Sequence, residues 1–324
     1  MPVYQSLIRG LCLGAALMFI AGNAAAVCEP DSPRSIIDSM INLDVSDTDS
    51  KIRQLEMTHP NHPILDFLKA MAILNRAYTT ETIDRSVEEQ ALVPLIETVK
   101  KARARIQSGD NDPQVQLALG LSQAFVGSIY FAHEKSLKAY KYASAGHTTL
   151  ENLVAEHPEV EDAYLGLGLF NYYLGSIESK GMKWGAKMMG LSGDRELGLS
   201  YLEQAAQNAP IVAPVAARVL LMEVDLPDEE MCKYAGLAAQ MRDNYPMNRI
   251  FSLIARIIPL QCRLAESDGL PVYPDNGMQL SNPCLETTYT SAPTTLEEQM
   301  PAATATVIQQ APVVVQETPS ILDY

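Results

Sequence analysis

Between about residue 32 and residue 265, apolar positions recur three and four apart, and alternating runs of the β type are nearly absent. Ala, Leu, Met, Glu and Gln fill these stretches. Proline-marked segments interrupt them: MTHPNHP, SGDNDP, AEHPEVED, QNAPIVAP and DNYPMN. Proline lacks an amide hydrogen and has a fixed φ, so each segment ends one helix and starts the next. The pattern predicts helices over 33–42, 47–58, 63–78, 82–107, 114–131, 133–156, 160–175, 178–190, 194–208, 213–224, 228–244 and 247–264. Pro259 is expected to kink the last.

The breaks are also repeats. Counting back from the turn proline, a small residue sits twelve positions before it and an apolar one eight before. Gly146, Leu150 and Pro158 fit, as do Gly198, Leu202 and Pro210, with Ala205 between. Thr48, Ile52 and Pro60 fit loosely; Tyr234, Ala238 and Pro246 keep the spacing with the sizes reversed. Self-similarity of this kind points to a solenoid. The stretch YLGLGLFNYYLG, Tyr164 to Gly175, carries three glycines in an otherwise core-like helix. Each interior glycine costs a helix roughly 1 kcal/mol against alanine, so a closely crossing neighbour is expected there.

These repeats resemble tetratricopeptide repeats, antiparallel helix pairs with a W-x2-L-G-x2-Y…A-x3-F…P pattern. Tyr164, Leu167 and Gly168 take the W-x2-L-G places; Asn171 stands where tyrosine is usual, with Tyr172 one residue late. GDRELGLSYLEQAAQNAP resembles the second helix and closing turn, with 18 extra residues inserted before it. The turn prolines lie 53, 45, 52 and 36 residues apart, so the repeats are irregular. The resemblance covers 46–264 and is concentrated at 159–210. It implies an all-α fold: a right-handed α-solenoid of about four to five antiparallel helix pairs over 46–265, with an insertion at 176–193 and an N-terminal segment at 27–45. It further implies close helix contacts at Gly168, Gly198 and Gly120, while Gly166 has no place in the pattern. A concave face built from the first helices would hold a peptide or partner protein on Gln114, Leu117, Leu121, Phe125, Asp162, Leu165, Leu169, Tyr172 and Tyr173. For Leu117 and Leu169, core is an equal alternative.

Outside the repeats, residues 1–26 hold one charge, Arg9, and an apolar run, GLCLGAALMFIAG, followed by Ala24 and Ala26 in an A-x-A arrangement. The run is too short to span a bilayer, and a secretory signal peptide cut after Ala26 is expected. No other segment is expected to cross a membrane. The chain would then be periplasmic or otherwise extracytoplasmic. Its net charge of −15 repels phosphate backbones and disfavours nucleic acid as a partner. Four cysteines follow the leader: Cys28, Cys232, Cys262 and Cys284. Cys232 and Cys262 flank the Pro246 turn at similar distances, so antiparallel helices would bring them side by side as a disulfide or as two buried thiols. Cys28 and Cys284 would then pair or stay free. Residues 266–324, with no Lys or Arg after Arg263, read as a Pro/Thr-rich disordered tail.

Local chemistry is sparse. His59 and His62 flank prolines at a turn without an accompanying Cys or acidic ligand, which favours a solvated turn over a metal site. LDVSDTDSK lacks the glycine and the twelfth-position carboxylate of a calcium loop, so Ser46 or Asp47 is expected to cap a helix instead. No Walker, G-x-S-x-G or H-E-x-x-H pattern is present. No cofactor or metal is expected. The insertion holds Lys180, Lys183 and Lys187 as one stripe and Trp184 and Met188 on another, a basic amphipathic helix over 177–191. It would pack on its own array, touch anionic lipid, or act as a lid over the groove. The expected function is a non-catalytic protein–protein interaction scaffold of the cell envelope. A peripheral membrane role for 177–191 is the alternative, and an enzyme with a dispersed site comes last.

Overall fold

The computed structural model describes residues 27–29, 31–80, 85–177, 187 and 191–284. These are helical, with no strand among them: α1 (Pro33–Ile41), α2 (Val45–Thr58), α3 (Pro63–Thr80), α4 (Arg85–Gln107), α5 (Pro113–Ala132), α6 (Ser136–Glu156), α7 (Ala163–Gly175), α8 (Arg195–Asn208), α9 (Ala213–Met222), α10 (Asp228–Met231, continued by a 3-10 turn over Cys232–Tyr234), α11 (Ala235–Asn244) and α12 (Arg249–Ser267). Starts follow the local chemistry. Ser32, Asp112 and Asp194 accept amide hydrogens from the first turns of α1, α5 and α8, and Pro33 and Pro113 open their helices. Asp44, not Ser46 or Asp47, caps α2, accepting from the Asp47 amide. The expected leader, 1–26, and the expected helix at 178–190 lie outside the described residues except for Lys187, which is helical and exposed.

The helices pack as neighbours: α3 on α4, α5 on α6, α7 on α8, α11 on α12, with α3 touching α5 and α5 touching α7. Glycine sets the closest crossings. A Cβ on Gly168 would lie 2.8 Å from Leu202 Cγ and 3.1 Å from the Gly198 carbonyl oxygen; one on Gly198 would collide with the Tyr172 backbone. Gly120 and Gly146 do the same for α5 and α6. Gly166, which the repeat pattern left unexplained, makes room for Leu150 and Leu121. The glycines of α7 thus serve two interfaces, one to α8 and one back to the preceding pair. Helix α5 is long and apolar enough to cross a membrane, with mean hydropathy 1.4, contrary to expectation. Two thirds of that window is buried, as in the core helix of this array.

One contact departs from a simple stack, in which each unit meets only its neighbours. Helix α1 touches α2 and α3 on one side and α9 on the other. Arg34 on α1 is fully buried. Its Nε donates to both oxygens of Asp38 at 3.0 and 3.1 Å, and its Nη1 donates to the carbonyls of Pro210 and Ser281, each at 3.0 Å. The Tyr245 hydroxyl donates to Asp38 at 2.7 Å, and the Asn248 side chain to the Ile41 carbonyl at 2.8 Å. Four distant parts of the chain therefore meet at one half-buried ion pair.

The expected tail begins too early at 266. Residues 270–284 run back across the body as an extended strap. Met278 and Leu280 are buried, the Ser281 amide donates to the Ala206 carbonyl, and Gln240 donates to the Met278 carbonyl. The strap ends at Cys284, bonded to Cys28; Cys232 is bonded to Cys262. Short glycine- and proline-bearing segments with few apolar residues look tail-like, yet two buried side chains and one disulfide suffice to fix this one. Residues 285–324 lie outside the described set.

Candidate docking surface

The expected groove does not present its residues together. Leu117, Leu121, Asp162, Leu165 and Tyr172 are buried, so they cannot line an open trough. The physical reason is that α5 packs on the pairs before and after it and α7 packs on α8 and on the preceding pair, which leaves their inward faces to the core. Asp162 accepts the amide hydrogens of Ile211 and Val212 at 2.9 and 2.8 Å, tying α7 to the start of α9. Burial pushes its carboxyl up to about 6, against the pull of those amides and of Arg34. The Tyr172 hydroxyl accepts from the Asp225 amide at 2.6 Å. Phe125, half-buried, packs edge-on against Phe67 with ring centres 5.9 Å apart. Gln114 and Leu169 are half-buried, and Tyr173 is exposed with its hydroxyl donating to Glu223. Of the basic stripe, Lys180, Lys183, Trp184 and Met188 lie outside the described residues.

A cavity of about 420 Å³ opens between α6, α7 and α8, lined in part by His147, Glu151, Asn171 and Tyr201. His147 stacks on Phe170 at 4.0 Å and faces Glu151 at 3.1 Å; burial holds its pKa below the usual value, and Glu151 opposes that. No group of three metal-ligating side chains occurs among the described residues.

The surface that sequence reading missed is on α12. This helix divides its apolar residues between two faces. Phe251, Ile258 and Ala265, seven apart, are at most 5 % exposed and join the core. Ile250, Leu253, Ile257, Leu260 and Leu264, spaced three, four, three and four, are 39 to 64 % exposed. In heptad terms Ile250, Ile257 and Leu264 hold a positions, and Leu253 and Leu260 hold d positions. Arg249, Arg256 and Arg263 hold the g positions, are exposed, and form no ion pair among the described residues. On the other flank, Gln261 donates to Asp228 of α10 at 2.9 Å, and Asp268 follows the helix end. The signal was present in the sequence as LIARIIPLQCRL, whose apolar residues are too many for one face; the sequence reading gave this stretch only as a helix kinked at Pro259.

No family model matches the chain, and neither the curated proteins nor the solved structures contain a match.

Proposed function

We propose that this chain is a non-catalytic interaction protein of the tetratricopeptide type, a right-handed helical array whose α12 face is a protein-docking surface. The observation that carries this reading is the open seam of five large aliphatic side chains on α12. Helical arrays normally end in a unit with a polar outer face, which keeps the stack soluble. Here the last long helix among the described residues carries an apolar seam, and contiguous exposed apolar surface marks interaction sites. Covering five half-exposed aliphatic side chains would return about 1 kcal/mol each, enough to drive association. An extracytoplasmic location is supported by the two disulfides, which persist in oxidising compartments.

The reading is tested by photo-crosslinking in intact cells with a reactive group placed at Gln261. The unmodified face should give discrete protein adducts, and Leu253→Glu/Leu260→Glu should remove them. Adducts that persist unchanged in the double variant would overturn the reading.

A further inference from the structure

We infer that the occupant of the α12 face is a second copy of this chain, docked as a parallel two-helix seam; this rests on the docking role proposed above. Three features point to self-association, and each is independent of the others. The first is residue choice. In parallel coiled coils, β-branched residues at a with leucine at d favour two strands. Two of the three exposed a positions are Ile250 and Ile257, with Leu264 the third; two of the three d positions are Leu253 and Leu260, and the third, Ser267, is the last residue of the helix.

The second feature is the flanking charge. In a parallel pair, each g residue faces the e residue five positions later on the other helix. Arg263 then faces Asp268 of the second copy. Arg256 faces Gln261, which is already bonded to the Asp228 carboxylate, so that acid stands beside the arriving arginine. Arg249 faces Ile254, against which its methylene stem can lie. An antiparallel pair would instead set g against g, arginine against arginine. The charge pattern therefore selects the direction as well as the partner.

The third feature is room. The body of the protein lies on the b and e side of α12: Phe251, Ile258 and Ala265 are buried, Ile254 is half-buried, and Gln261 reaches α10. The g side is open. Parallel pairing places the open side of each helix against the body side of the other. Antiparallel pairing would bring body against body. Pro259 falls at a c position, away from the seam, where its ring meets no partner side chain. Each copy carries a net charge of −15, so two copies repel over most of their surfaces. The row of unpaired arginines is a place where that repulsion is relieved.

Sedimentation velocity on the disulfide-bonded protein, over a wide range of concentration, tests this. A monomer–dimer equilibrium is expected. Leu253→Glu/Leu260→Glu should raise the dimer dissociation constant at least about a hundredfold, the equivalent of about 2.8 kcal/mol. Arg263→Glu should weaken the dimer by about three- to tenfold, and Arg263→Glu/Asp268→Arg should restore it. A protein that stays monomeric overturns the inference. If Leu253→Glu/Leu260→Glu nonetheless abolishes crosslinking in cells, the docking role stands and the occupant is another protein. A dimer indifferent to the seam substitutions overturns both the self-partner and the face. A dimer lost with the seam but not rescued by the charge exchange overturns the parallel arrangement.

Discussion

Helices α1 and α12 are the first and last long helices among the described residues, and they treat charge and apolar surface in opposite ways. On α1, Ile36, Ile37, Met40 and Ile41 are all buried, and the one arginine is surrounded by Asp38 and two carbonyls. On α12, one apolar face is buried, the other is open, and three arginines stand unpaired beside it. A buried charge without partners is strongly unfavourable, and α1 holds its arginine through Nε and Nη1, which find Asp38 and two carbonyls within the chain, while Nη2 is buried without a hydrogen-bond partner. An exposed arginine needs no such partner and remains available to one from outside. The contrast separates an end that closes the molecule from an end that leaves it open to association.

The largest expected effect comes from the closed end. The Cys28–Cys284 bond spans 256 residues and joins the strap to the start of α1. In the chain-entropy model a loop of that length is worth about 5 kcal/mol. Cys28→Ser/Cys284→Ser should lower the urea midpoint far more than Cys232→Ser/Cys262→Ser, whose loop spans 30 residues and is worth about 3.5 kcal/mol. No loss in Cys28→Ser/Cys284→Ser would mean that the strap is held by its packing alone.

Arg34→Ala follows. It leaves two carbonyls without their donor and Asp38, a third exposed, with only the Tyr245 hydroxyl, and the expected loss is about 2–4 kcal/mol. Arg34→Met/Asp38→Leu removes both charges and should recover much of it, which denaturant melts of the two variants will read. A single variant as stable as the parent would show that the junction of α1, α9 and the strap does not depend on the ion pair.

Asp162 offers a pH-dependent version of the same closed interior. Its carboxyl is held at about 6 in the folded chain, against an ordinary value of 3.8. The folded state thus keeps a proton that the unfolded state has already released. Stability from this group is complete below about pH 4 and is lost as pH rises toward 6, by about 2–3 kcal/mol. Asp162→Asn still accepts the Ile211 and Val212 amides but cannot ionise. Its melting temperature relative to the parent should rise between pH 4 and pH 7. A constant difference across that range would contradict the assignment.

Much of this molecule was legible as sequence because the information was local. Helix spans follow from apolar spacing, and breaks follow from proline. A close crossing along Tyr164 to Gly175 follows from the cost of glycine in a helix, and the repeat resemblance implied that Gly168 and Gly198 would sit at it. What could not be read was which of two apolar faces a helix buries. Leu165 and Leu253 are the same residue in two helices; one lies in the core and the other is open. Their difference depends on neighbours far along the chain. The clasp is of the same kind, since nothing in PRSIID announces that Arg34 will meet Pro210 and Ser281. The strap was missed because a fifteen-residue stretch with two anchoring side chains has too little apolar content to register.

The smallest expected effect on folding is at the open end, and it is the most discriminating. Leu253→Glu/Leu260→Glu replaces half-exposed leucines with a residue of similar helix propensity. In dilute protein its unfolding free energy should match the parent within about 0.5 kcal/mol. A partner that binds only the folded form adds stability that grows with its concentration. If that partner is a second copy, the parent's melting temperature should climb as the protein is concentrated, while the variant's stays level. The two curves should converge on dilution and separate on concentration. If both climb together, association lies on another surface. If the variant is already destabilised in dilute solution, α12's outer leucines belong to the core in the way those of α1 do, and the contrast between the two ends disappears.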